Sequence, residues 1–138
     1  MAKLWLFKQE PGCYSYEDLE RDGTTLWDGV TNALARKHLR SVKRGDRVLF
    51  YHTGKEKAVV GEMKVIGGPR VDLKSDDPKS VVVEVQAVKR WQKPVSLAQI
   101  KGDKSFSGWD LIRMPRLSVV PVSEKQWERL EALAALRE

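Results

Sequence analysis

A serine followed three positions later by an acid or an amide occurs three times at the edge of an apolar run: Ser15-x-x-Asp18, Ser96-x-x-Gln99 and Ser123-x-x-Gln126. In such a capping box the hydroxyl accepts from the third helical N–H, and the acid or amide accepts from the serine's own N–H. Two donors that a helix start leaves unpaired are thereby satisfied within four residues. Each box is bracketed by an apolar pair spaced to staple the incoming chain to the first turn: Tyr14 with Leu19, Val95 with Ile100, and Val122 with Trp127. Short helices are therefore predicted to start at these serines. A further helix, over 32–43, is predicted to follow Thr31 as its cap.

Apolar segments rich in Val, Leu, Phe, Tyr and Trp at 3–8, 46–52, 58–66, 80–91 and 117–122 read as strands. The Gly-, Pro- and Asp-rich stretch 67–80 reads as an exposed, flexible loop, while 101–116 has too little periodicity to assign. Strands and short helices follow one another without the regular alternation of a doubly wound parallel sheet. That order predicts an α+β fold, with a small barrel as one form of it. A chain of 138 residues suits one domain over 1–138, closed by a helix at about 123–136 that buries Trp127, Leu130 and Leu133.

Strand parity sorts side chains by face. Leu4, Leu6 and Lys8 share one side of the first strand, Trp5 and Phe7 the other. In the second, Val48, Phe50 and His52 oppose Leu49, Tyr51 and Thr53. A polar residue that ends an apolar face marks either the rim of a core or the floor of a pocket.

Cys13 is the single cysteine, which excludes an internal disulfide and a cysteine-rich zinc site; no metal or cofactor is expected. No apolar run is long enough for a signal peptide or a membrane span, so a soluble, cytoplasmic protein with no membrane partner is expected, as a monomer. The 25 basic residues exceed the 19 acidic ones, and the excess is concentrated between Asn32 and Arg47, where Arg36, Lys37, Arg40, Lys43, Arg44 and Arg47 face only Asp46. Such a stripe attracts phosphate through counterion release and points to nucleic acid. Hydrolase, nucleotide-loop and metalloprotease motifs are absent, which argues against an enzyme.

Four blocks, "WLFKQEP" at 5–11, "YSYEDL" at 14–19, "WDGVTNALARKHLRSVKRGDRVLFYHTG" at 27–54 and "RLSVVPV" at 116–122, together resemble the EVE domain, in order from Lys3 to Val122. The resemblance implies a PUA-like pseudo-barrel of about five to six strands with helices packed outside, distantly related to YTH domains. It also implies a reader of modified bases in DNA or RNA. Lys8 and Glu10 fall in the family's Lys-x-Glu-Pro block, Trp27, Asp28 and Asn32 in its Trp-Asp-Gly block, and Phe50, Tyr51 and His52 in its strand-end block, with Thr53 following. The family pattern tends to carry a tryptophan before the strand near Val81, where this chain has Lys79-Ser80; closure of the pocket here then depends on something else.

Elementary chemistry gives these residues roles. A reader must take the base from a single strand or flip it out of a duplex, and stacking on an aromatic recovers part of the cost. Trp27 is the expected wall; Asp28 accepts from an amine or hydroxyl, Asn32 reads a base edge, and Lys8 or His52 donates. Arg36, Lys37 and Arg40 are the expected phosphate contacts. Structural roles stand beside each: Trp27 as a core plug, Asp28 as a brace of the Gly29 turn, Asn32 as a helix cap, His52 as a hydrogen-bonded core group. The alternative functions are an enzyme acting on a nucleotide or a small heterocyclic ligand through Asp28 or His52 as base, and a basic surface for an acidic protein.

Overall fold

All three capping boxes form. Ser15 Oγ accepts from Asp18 N at 3.1 Å and Asp18 Oδ2 from Ser15 N at 2.9 Å. The same reciprocal pairs join Ser96 with Gln99 and Ser123 with Gln126, at 3.1 and 2.9 Å in each case. The computed structural model describes residues 3–136. Its elements are β1 (Leu4–Gln9), α1 (Tyr16–Asp22), β2 (Thr24–Trp27), α2 (Ala33–Ser41), β3 (Arg47–His52), β4 (Ala58–Val71), β5 (Val81–Ser96), α3 (Leu97–Lys101), α4 (Asp110–Arg113), β6 (Val119–Val122) and α5 (Glu124–Leu136), with a 3-10 turn at Lys104–Phe106.

One mixed sheet runs β2-β5-β4-β3-β1-β6. Within it β1 lies parallel to β3, and every other pairing is antiparallel. The architecture is α+β of the PUA-like kind, with α2 packed on β5 and β6, and α5 on β5. Parity sorts the side chains of β1 into two faces without deciding which is core; Trp5, Leu6 and Phe7 are all buried, because both faces of this inner strand are covered.

The long strands β4 and β5 bend at several register shifts, where extra residues sharpen the local twist. At one of these Gly61 lets the Tyr16 ring approach closely; a Cβ there would sit 2.7 Å from it. Tyr16 then donates its hydroxyl to Glu62 O at 2.6 Å and presents an edge to Phe50, and burial raises its phenol to about 12.

Some boundaries differ from those the sequence predicts. Asn32, not Thr31, caps α2, its Oδ1 accepting from Ala35 N at 2.9 Å. Strand β4 continues to Val71, so the loop expected over 67–80 is confined to 72–80. Four-residue β2 was not anticipated: its pairing with β5, Trp27 opposite Val83, is a tertiary fact that no local pattern announces. The unassigned stretch 101–116 holds the 3-10 turn and α4, and is tied to the terminal helix by Arg129 Nε donating to Asp103 Oδ2 at 2.8 Å. Trp127 and Leu130 are buried and Leu133 partly so, as the terminal stripe predicts.

Asp46, 3% exposed, joins three segments at the start of β3. Its carboxylate accepts from Lys3 N at 3.0 Å, from Trp5 Nε1 at 2.9 Å and from Lys43 N at 2.9 Å. Removing it strands three buried or half-buried donors. Asp46→Ala is expected to destabilise the domain by about 3 kcal/mol, read as a lower denaturation midpoint with an unchanged slope.

Candidate nucleic-acid interface

The parallel register of β1 on β3 sets Lys8 beside Tyr51 and Gln9 beside His52, so both strands deliver polar residues to one end of the sheet. Thr53 N donates to Gln9 O at 3.0 Å and carries that alignment one residue further. Strand β2 brings Trp27 to the same end. The turn that follows, Asp28-Gly29, uses a positive φ of 73° at Gly29 and feeds α2 through its cap Asn32. Between these segments lies a cleft of about 370 Å³. Of the expected ligand residues, Lys8, Glu10, Trp27, Asp28, Asn32 and Thr53 border it.

Lys8 is half-buried. Its Nζ donates to Pro115 O at 2.9 Å and lies 5.6 Å from the centre of the Tyr51 ring. Desolvation lowers its ammonium to about 8, which leaves it a cation at neutral pH but a readily deprotonated one. Glu10 meets Thr53 Oγ1 across the cleft floor at a long 3.4 Å. Asp28, exposed at the mouth, has no hydrogen-bonding partner among the described residues, so it does not brace the Gly29 turn. Asn32 is exposed, but its carbonyl oxygen already caps α2, which leaves its amide nitrogen as the available group.

Trp27 differs from the free aromatic wall that was expected. It is 3% exposed, its ring packed against Phe7 at 5.4 Å and edge-on to Phe50 at 5.2 Å, so it plugs the core and offers the cleft only a margin. Tyr51 and His52 do not border the cleft. Tyr51, raised by burial to about 12, lies beneath Lys8. His52 Nε2 accepts from Tyr16 N at 3.0 Å and Nδ1 contacts Glu56 Oε1 at 2.7 Å. A backbone N–H can be accepted only by an unprotonated nitrogen, so the ring proton is on Nδ1 and faces Glu56. His52 thus caps α1 as a structural group, a correction to its expected place among the ligand donors.

The basic helix is also partly turned inward. Arg36 donates through Nε to Val30 O at 2.7 Å and through Nη2 to Asp77 Oδ2 at 2.8 Å, and its side chain is 12% exposed. The Lys79 backbone N–H, then the Arg36 guanidinium, hold the Asp77 carboxyl below the ordinary aspartate range. Arg36 is therefore a clamp on the 72–80 loop and not the free phosphate contact expected. Arg40 donates to Lys79 O at 3.1 Å and remains exposed; Lys37 is exposed on α2 and does not border the cleft. Arg47, further along the stripe, grips Glu62 at 2.9 and 3.1 Å and lies over the Trp127 ring at 4.5 Å.

What sequence reasoning missed is the opposite lip, formed by Pro115, Arg116 and Ser118. Arg116 is exposed, with no hydrogen bond or ion pair among the described residues. The signal available was its place at the head of the "RLSVVPV" block; the unassigned segment before it hid the connection. Among the described residues no group of three or more His, Cys, Asp or Glu could hold a metal ion, and no helix is long and apolar enough to cross a membrane.

Residues 3–133 match the model of the EVE domain. Thymocyte nuclear protein 1 of Homo sapiens is 32% identical over 162 residues, an alignment spanning 93% of this chain and 72% of that protein. The Mus musculus protein of the same name is 30% identical, over 96% of this chain and 74% of its own length. In three dimensions the chain is similar to a hypothetical protein from Leishmania major, with a TM-score of 0.92 at 32% identity, covering 99% of this chain and 97% of that one. It is similar also to human THYN1 protein in complex with 5-methylcytosine-containing DNA, with a TM-score of 0.89 at 29% identity over 96% of this chain and 98% of that one. An ASCH protein from Zymomonas mobilis, 11% identical at a TM-score of 0.64, shares the fold. With nearly its whole length matched, the chain belongs to the EVE domain family.

Proposed function

We propose that this domain binds nucleic acid carrying a modified base and takes that base into the cleft between Lys8 and the Trp27–Asn32 turn. The observation that carries this reading is the cleft itself. Its volume is that of a small-molecule site, and Asp28 and Arg116, with no internal partner among the described residues, border it beside the desolvated Lys8. The DNA complex of the human relative supports nucleic acid as the partner.

In this arrangement the base lies between Pro115 on one lip and the Gly29-Val30 turn on the other, with the margin of Trp27 at the back. Asp28 accepts from an exocyclic amine, Lys8 donates to a carbonyl or ring nitrogen, and the Asn32 amide donates to a base edge. Arg116 holds a flanking phosphate, with Lys37 and Arg40 extending the positive field along α2. The apolar contacts of Val30 and Pro115 form the niche for an added methyl-sized group. Binding is favoured over catalysis because both ring nitrogens of His52, one of the two bases the enzyme alternative relied on, are engaged in the core and do not reach the cleft.

Oligonucleotides that differ only by cytosine or 5-methylcytosine provide the first probe, read by anisotropy. Asp28→Ala is expected to weaken the modified strand about tenfold and to reduce the preference over the plain one. Arg116→Ala is expected to weaken both equally and to lower the slope of log affinity against log salt by about 1. Equal binding of several modified and plain strands by the unmutated protein sinks the proposal.

Lys8 supplies a pH test. Its donor strength depends on the ammonium form, which is lost as pH rises through about 8. Affinity should therefore fall between pH 7 and pH 9, and Lys8→Gln should be weaker at pH 7 and flat across that range. For the unliganded fold the sign is opposite. The folded value lies below the ordinary 10.5, so the desolvation cost is present in full below about 8 and is relieved between there and 10.5.

A further inference from the structure

Leu73 is 94% exposed, against 55% for Val71 and 49% for Val88, the other large apolar residues that face water among those described. A leucine so placed costs solubility and contributes nothing to the core. It is also held in position. Asp72 N donates to Ser80 O at 3.1 Å across the base of the 72–80 loop, Ser75 N to Asp72 O at 3.2 Å, and Lys74 N to Asp72 Oδ1 at 3.0 Å. Ser80 Oγ bonds Ser75 Oγ at 2.8 Å, and Arg36 anchors Asp77 to α2. The turn that carries Leu73 is thus ordered before any partner arrives, which removes part of the entropic cost of using it.

Its position relative to the cleft is informative. Asp72 and Lys74, the residues on either side of it, line a second hollow of about 360 Å³, and that hollow shares Asp28, Gly29, Val30 and Thr31 with the base cleft. Lys74, Lys79 and Arg40 are exposed cations on and beside the loop; of its three carboxylates Asp77 is neutralised by Arg36, Asp72 accepts from Lys74 N, and Asp76 has no partner among the described residues. An apolar side chain raised on a braced turn, with the exposed cations Lys74, Lys79 and Arg40 near it and a hollow that shares its lining with the base cleft, suits a surface that is apolar in the middle and anionic at its edges. The stacked interior of a nucleic-acid duplex between its two phosphate backbones is such a surface.

Resting on the proposed base-reading function, we infer that Leu73 is the wedge that enters the base stack and fills the gap left when the modified base is drawn out of a duplex. Filling that gap restores the apolar contact that the neighbouring base pairs lose, so the wedge acts on duplex binding alone; a single strand has no stack to repair.

The test compares the same modified base in a duplex and in a single strand, with 2-aminopurine next to it in the duplex as a reporter of unstacking. Because Leu73 faces water, Leu73→Ala and Leu73→Ser leave the fold intact, which a thermal melt checks. Both are expected to weaken duplex binding about ten- to hundredfold, to abolish the rise in 2-aminopurine fluorescence, and to leave single-strand binding unchanged; Leu73→Phe should retain duplex binding. If duplex and single-strand affinities fall together, or neither falls, Leu73 is not a wedge; the latter result is the one expected of a protein-docking leucine. If the unmutated protein shows no preference for the modified single strand, the base-reading proposal fails and the wedge with it. A preserved preference with an unaffected duplex overturns the wedge alone.

Discussion

Parallel pairing of β1 with β3 governs where every group in the cleft ends up. Two strands that run the same way terminate at the same end of the sheet, so Lys8, Gln9 and Glu10 emerge beside Tyr51, His52 and Thr53 although more than forty positions separate them in the chain. The antiparallel neighbour β6 begins where β1 ends, Lys8 N donating to Ser118 O at 2.9 Å, and this places Pro115, Arg116 and Ser118 on the far lip. Asp46 holds the opposite end of the arrangement by binding the chain before β1, a side chain within it and the loop before β3. A slip of one residue would turn each polar strand end to the other face.

The same economy of position decides which charges are available. A stripe of six cations between Arg36 and Arg47 suggests a uniform phosphate-binding face, yet two of them are ion-paired within the fold and a third, Arg40, donates to a backbone carbonyl. Arg36 ties the 72–80 loop to α2, and Arg47 joins Glu62 and the Trp127 ring. Each lies close to a carboxylate that comes from a distant strand or loop. Arg116, isolated in sequence from that stripe, stays unpaired among the described residues because its neighbours on the lip are Pro115 and Ser118. Local density of charge is thus a poor guide to free charge once chain segments far apart are brought together.

Legibility followed the range of the interaction. Capping boxes at Ser15, Ser96 and Ser123 close within four residues, so spacing alone specifies them, and the strand cores over 46–52 and 80–91 carry enough β-branched and aromatic residues to declare themselves. Strand β2 did not, because Thr24–Trp27 owes its extended form to partners at Val83–Gln86. Within the site, the Trp-Asp-Gly and Lys-x-Glu-Pro blocks led to five residues that do border the cleft, and Thr53 after the strand-end block is a sixth. Their separation into groups that face the cleft and groups that support it could not be read. Asn32 and Thr31 are both plausible caps by composition, and only the observed bond to Ala35 N distinguishes them.

His52 shows the division most clearly. Its place at the end of a strand is a matter of sequence, as are the capping boxes, the run of strands and the family blocks, because all of these are encoded in residues a few positions apart. That its ring turns to cap α1 instead of opening into the cleft was decided by tertiary structure, which brought Tyr16 N to one nitrogen and Glu56 to the other. Burial makes such a choice binding: a polar atom taken out of water must be paired, and the partners it finds depend on which distant segments the fold packs beside it.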